Sequence, residues 1–207
     1  MSREIEFNQD LFQFENYCKK HLAFVSLIVK ETNLLEALAP ALKSLSVSWV
    51  ENKEGCLADA EVVLFNGLIE ELKSISGTFH AASSYLNKLA EDSVNSVCFS
   101  SSNAPSNNLF LNWIILVNQD ERLIQNFLAI SKSLRIAVRM LRSDVLSVGI
   151  EPKGTTMGFG SRLILVAAVM VNESACAARA EANLMRSKEK QWQIRAHLAR
   201  SPDTGTT

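Results

Sequence analysis

Residues 64–89, LFNGLIEELKSISGTFHAASSYLNKL, decide the fold class. Leu64, Leu68, Leu72, Ile75, Phe79, Ala82, Leu86 and Leu89 step by 4, 4, 3, 4, 3, 4 and 3 residues, which keeps them on one face of a helix for seven turns. A strand alternates faces every second residue and cannot produce that spacing. Gly67 and Gly77 interrupt it, each at a cost of about 1 kcal/mol relative to Ala in a helix interior. They predict a bend or the close approach of a neighbouring helix.

The same periodicity extends to both sides. Upstream, Leu11, Phe14, Cys18, Leu22, Val25 and Ile28 mark a helix from Asp10 to about Glu31. Thr32 or Asn33 can cap a second helix carrying Leu34, Leu35, Leu38, Leu42 and Leu45. Pro40 lies within that pattern and predicts a kink or two short pieces. Residues 50–56, with Asn52 and Gly55, read as a turn. Downstream, residues 99–108 are rich in Ser, Asn and Pro and form the expected linker.

Residues 109–117, LFLNWIILV, suit a buried helix or a buried strand. Their direct continuation at Asp120 favours helix. The periodic segment then runs to Val148, with Phe127, Ile130, Leu134, Leu141, Val145 and Val148 on one face. A Gly-rich loop, 149–160, precedes a last helix from Ser161 to about Ala199, and residues 201–207 read as a flexible tail. No internal repeat is found. The sum is an all-α chain: an elongated antiparallel bundle of about five or six helices. It forms one domain over residues 1–200, with an acidic half (1–98), the linker (99–108) and a basic half (109–200).

Composition narrows the classes of function. The 207 residues are 47% hydrophobic and 21% charged, with a formal net charge of −1. That excludes collagen-like and disordered chains, and a global polycation. Residues 1–100 hold 8 basic and 14 acidic side chains, a balance of −6, and the remainder 13 and 8, a balance of +5. The halves can attract one another within the fold, or one copy can attract the next.

Cys18, Cys56, Cys98 and Cys176 have no zinc-ligand spacing and are too sparse for a disulfide scaffold. The first ten residues are too polar for a secretory signal. The longest apolar run, Leu163–Val171, is nine residues, about half of what a transmembrane helix needs. A soluble, cytoplasmic protein without a transmembrane segment is the expectation.

The most specific chemical feature is Lys132, Arg135, Arg139 and Arg142. Steps of 3, 4 and 3 set four cations on one helix face, opposite the apolar stripe. Such a ridge suits the phosphates of RNA or DNA. Arg186, Lys188, Lys190, Arg195 and Arg200 extend the basic character of the last helix, with Trp192 as a stacking group. The plain alternative is a solvated face, or one paired with Glu61, Glu70 and Glu71.

Gly149–Gly154 superficially resembles a phosphate loop, but Lys153 precedes Gly154 instead of following it. A weaker anion site remains: Gly158 and Gly160 before Ser161 as helix cap. His21, His80 and His197 fall on three different helices without ligand spacing. No catalytic, metal or cofactor motif is found, so no enzyme, no metal and no cofactor are expected.

Small residues at Ser74–Ser84, Ala167, Ala168, Ala175, Ala177, Ala178 and Ala180 suit close helix packing within the bundle or against another copy. The leading expectation is a non-enzymatic bundle acting through protein–protein contacts, self-assembling or binding another helical protein. A nucleic-acid-packaging subunit is the first alternative. Peripheral binding to anionic lipid through the last helix is the second.

Overall fold

In a computed structural model, residues 2–51, 57–98, 107–143 and 159–200 are described. They form four helices: α1 (Ser2–Glu51), α2 (Asp59–Cys98), α3 (Asn107–Leu141) and α4 (Phe159–Arg200). No strand occurs among the described residues. The chain is an all-α antiparallel bundle. Each helix packs on its neighbours in the chain and α4 closes the ring onto α1, with α1–α4 and α2–α3 the most extensive pairs.

Buried positions follow a strict seven-residue rule. On α1 they run His21, Val25, Ile28, Thr32, Leu35, Ala39, Leu42, Ser46 and Trp49, alternating steps of 4 and 3. On α2 they run Phe65, Leu68, Leu72, Ile75, Phe79, Ala82, Leu86 and Leu89. Asp120, Leu123, Phe127, Ile130, Leu134, Ala137 and Leu141 do the same on α3. On α4 the row is Ile164, Ala168, Val171, Ala175, Ala178, Ala182 and Met185. This is the seam of an antiparallel coiled-coil bundle. A third buried position per heptad, such as Leu38 and Leu45 on α1, widens each stripe. Leu64 falls off the seam and is exposed; Phe65 takes its place.

The helix count is four instead of five or six because two expected breaks do not occur. Thr32 does not cap a helix. Its hydroxyl donates to the carbonyl of Ile28 at 2.7 Å, four residues back, so its hydrogen bond is made inside a continuing turn. Pro40 is also within α1 and is exposed. Its ring meets solvent, and packing of Leu35, Ala39 and Leu42 on either side carries the helix through. Residues 109–117 are helical, merged with the following segment into α3. No neighbouring helix approaches closely at either glycine, since a Cβ on Gly67 or Gly77 would meet nothing within 4 Å.

Two of the inter-helix ion pairs link the acidic half to the basic half inside the bundle. Arg179 on α4 donates to both carboxylate oxygens of Glu36 on α1, at 2.9 and 2.6 Å, and to Asn33. Arg142, just past α3, pairs with Glu70 on α2. At the start of α2, Glu61 accepts from the backbone N–H of Ala58 at 2.9 Å, an N-terminal capping contact. Residues 52–56, the expected linker up to residue 106, residues 144–158 and the expected tail lie outside the described residues.

Candidate functional site

The four cations of the α3 ridge, Lys132, Arg135, Arg139 and Arg142, are all exposed. They do not stand alone. Ser76 on α2 and Ser131 on α3 each donate to the other's carbonyl, at 3.0 and 2.9 Å, and so hold the two helices close. Beside this contact a cleft of about 290 Å³ opens, lined by Lys73, Ser76, Gly77, Arg135, Val138, Arg139 and Arg142. Lys73 brings a cation from the opposite wall. Glu70 closes one end, paired with Arg142 and 3.5 Å from Lys73. Among the described residues, no carboxylate lies within ion-pair distance of Lys132, Arg135 or Arg139. Glu70 therefore fulfils the acid-pairing alternative for one cation of the ridge.

The basic residues of α4 divide. Arg186 and Lys190 are exposed, and the side chain of Arg195 lies outside the described residues. Lys188 is 6% exposed and cannot reach a ligand on the surface. It follows Ser174 and Glu181 at seven-residue intervals on an inward-facing row, which removes it from the expected nucleic-acid contacts. Around it lies a buried charged layer near the other end of the bundle. His21 of α1, fully buried, contacts Asp120 of α3 through Nε2 and Oδ1 at 2.8 Å. Asn126 donates to Glu181 at 2.5 Å. Burial lowers the Lys188 pKa, while the negative charges of Asp120 and Glu181 act to raise it.

This layer suits structural specification better than catalysis. The His21–Asp120 contact spans the bundle from α1 to α3, and Lys188 and Glu181 sit in the same charged neighbourhood. A buried polar contact of this kind fixes register, because a slip of one heptad would leave charges among Leu and Ala. Among the described residues, no three His, Cys, Asp or Glu side chains converge as metal ligands. The place of His21 in the row His21, Val25, Ile28 is the sequence signal that it faces the core.

Ser161 does not cap α4 as expected. Helix α4 begins at Phe159, so Gly160 and Ser161 are helical. Gly160 is buried against Trp49, and the Ser161 hydroxyl donates to the carbonyl of Ser46 at 2.8 Å. Both residues are buried, away from a surface anion. Gly158 lies outside the described residues.

A further feature has no counterpart in the sequence reading. Of the thirteen exposed large apolar side chains among the described residues, ten gather toward the end where α1 passes to α2. Val47 and Val50 belong to α1; Val62, Val63 and Leu64 to α2; Ile136 to α3; Phe159, Leu165, Val166 and Val169 to α4. They lie on outward faces of all four helices, and we call the set the apolar collar. Phe12, Tyr85 and Ile194 are the other three. Single exposed apolar residues are ordinary; ten of thirteen toward one end are an uneven distribution.

The collar also explains why Phe159–Lys188 is long and apolar enough to cross a membrane by length and composition. Only 39% of its most apolar window is buried, so the outer face is apolar as well as the inner one. A scan against protein-family models and searches of curated proteins and of solved structures found no match to this chain.

Proposed function

We propose that this is a non-enzymatic bundle protein that acts through protein–protein contact, with a second copy of itself docking on the apolar collar. The clustering of ten exposed large apolar residues at one end carries the reading. Contact with a second copy removes this surface from water, and burial of apolar area is the main driving force for association.

Charge favours a protein partner over the hydrocarbon of a membrane. Glu51 and Asp59 are exposed on α1 and α2 at this end, and Lys43 and Arg162 on α1 and α4. Carboxylates among the apolar groups resist insertion into lipid. A surface bearing both signs is self-complementary under a two-fold rotation, the commonest symmetry of soluble oligomers. The same split of charge between halves is partly neutralised within the molecule, through Glu36–Arg179 and Glu70–Arg142. Self-association therefore rests on the apolar collar and not on a global attraction of acidic to basic halves.

Light-scattering mass on a sizing column tests the proposal. The wild type should elute at two or more times its chain mass of 22.9 kDa. Val63→Glu and Val166→Glu, at exposed positions, should return it toward one chain mass with unchanged helical circular dichroism. A wild-type monomer, or an oligomer indifferent to both substitutions, would overturn it.

A further inference from the structure

We infer that the α2–α3 cleft binds the phosphodiester backbone of a nucleic acid, with Lys73 on one wall and Arg135, Arg139 and Arg142 on the other. This is independent of the collar and uses different residues.

The arrangement carries an electrostatic cost. A basic ridge on one helix needs no ligand, because each cation can turn into water. Here cations from two helices line a single cleft, with an apolar Val138 and the bare backbone of Gly77 between them. Like charges held together repel, and the low-dielectric floor weakens their screening. Glu70 relieves this only at one end, through Arg142 and the longer contact to Lys73. Among the described residues Arg135 and Arg139 have no carboxylate partner, so their guanidinium donors face the cleft for an oxyanion.

Shape decides between a single phosphate and a chain of them. From Lys132 to Arg142 the ridge rises about 15 Å along the helix. A compact phosphate occupies only part of that length, whereas a backbone presents one phosphate after another along such a row. The absent Cβ of Gly77, where nothing lies within 4 Å, leaves the α2 wall low and the cleft open to a polymer lying along it. Glu70 then acts as an internal competitor: a phosphate that takes Arg142 releases the carboxylate to water.

Fluorescence anisotropy with a fluorescein-labelled single-stranded RNA oligonucleotide of mixed sequence tests this on the full chain. Binding should weaken steeply with salt as counterion release diminishes. Arg135→Gln with Arg139→Gln should lower affinity at least tenfold and reduce the log–log salt slope by about 1.4, the value for two lost contacts on a single strand. Neither arginine has a described carboxylate partner, so circular dichroism should stay unchanged.

Glu70→Gln should strengthen binding severalfold. Glu71→Gln, an equal change of charge at the exposed neighbouring position, should do so far less, which separates displacement of the competitor from a general gain in positive charge. No binding at low salt would overturn the inference, as would affinity indifferent to the double substitution. Binding of pyrophosphate with no binding of the oligonucleotide would overturn the assignment to a backbone.

Discussion

Ser46 on α1 and Ser161 on α4 are joined by a reciprocal pair of hydrogen bonds, each hydroxyl donating to the other's backbone carbonyl at 3.0 and 2.8 Å. Ser76 and Ser131 repeat the arrangement between α2 and α3. The two pairs thus mark the two most extensive helix contacts of the bundle. A residue as small as Ser lets the backbones approach until hydroxyl and carbonyl meet, and each of these four hydroxyls has a partner.

From the first pair comes a prediction about coupling. Ser46→Ala removes one donated bond and should cost about 1 kcal/mol. Ser161→Ala should cost the same. Ser46→Val is the harsher change, since it forces the helices apart and should cost about 1–3 kcal/mol. Urea unfolding of the singles and of the Ser46→Ala/Ser161→Ala double gives the coupling between them. Because the hydroxyls also lie 2.9 Å from one another, the pair should be non-additive by about 0.5 kcal/mol or more. Strict additivity would show that the serines act separately.

Trp49 and Gly160 make a second close contact between the same helices. A Cβ on Gly160 would lie 2.5 Å from Cζ2 of Trp49, and the indole is buried with little room to retreat. Gly160→Ala should therefore destabilise by about 1–3 kcal/mol despite the better helix propensity of Ala. Gly77→Ala provides the contrast. Nothing lies within 4 Å of the added carbon, so the propensity gain of about 1 kcal/mol should appear undiminished. Thermal unfolding should move in opposite directions for the two variants; a shift of the same sign for both would refute the packing account of Gly160.

Pro40 has no backbone N–H to give to the carbonyl of Glu36, and its ring crowds that carbonyl. It is exposed, so substitution should lose no core contact. Pro40→Ala should stabilise the bundle by about 2–3 kcal/mol, read as a raised midpoint in urea with unchanged slope. A neutral or destabilising result would mean that α1 needs the bend that proline imposes to wrap its neighbours.

The fold was legible where spacing alone decides orientation. Leu68, Leu72, Ile75, Phe79, Ala82, Leu86 and Leu89 were placed on the inner face from their intervals, and all are buried. Local signals misled where tertiary packing outweighed them. Thr32 and Pro40 are good helix-breaking signals in isolation, yet Ile28, Leu35 and Leu42 on either side are fully buried and hold α1 continuous. The α3 ridge could be read from its own helix, whereas Lys73 joins it only through the α2–α3 register, which no single-helix pattern contains. Lys188 was misassigned because its charge was weighed and its phase on the helix was not. The collar escaped notice because it gathers residues from four helices whose ends meet only in three dimensions.

Lys188 makes the misassigned residue useful as a probe of the buried layer. Burial is the largest influence on its pKa and lowers it below the ordinary 10.5; Arg122 acts in the same direction, while Asp120 and Glu181 oppose both. The folded state therefore loses the proton at a lower pH than the unfolded chain does. Between the two values the unfolded chain binds more protons, so stability rises with pH across that window. Lys188→Met keeps the bulk of the side chain and removes the titration. The stability of the wild type relative to this variant should climb as pH approaches 10.5 from below and level off above it. Urea unfolding of both proteins at a series of alkaline pH values tests the sign directly. A relative stability that falls with rising pH would mean that Asp120 and Glu181 outweigh burial, and that Lys188 belongs to a net stabilising ion pair.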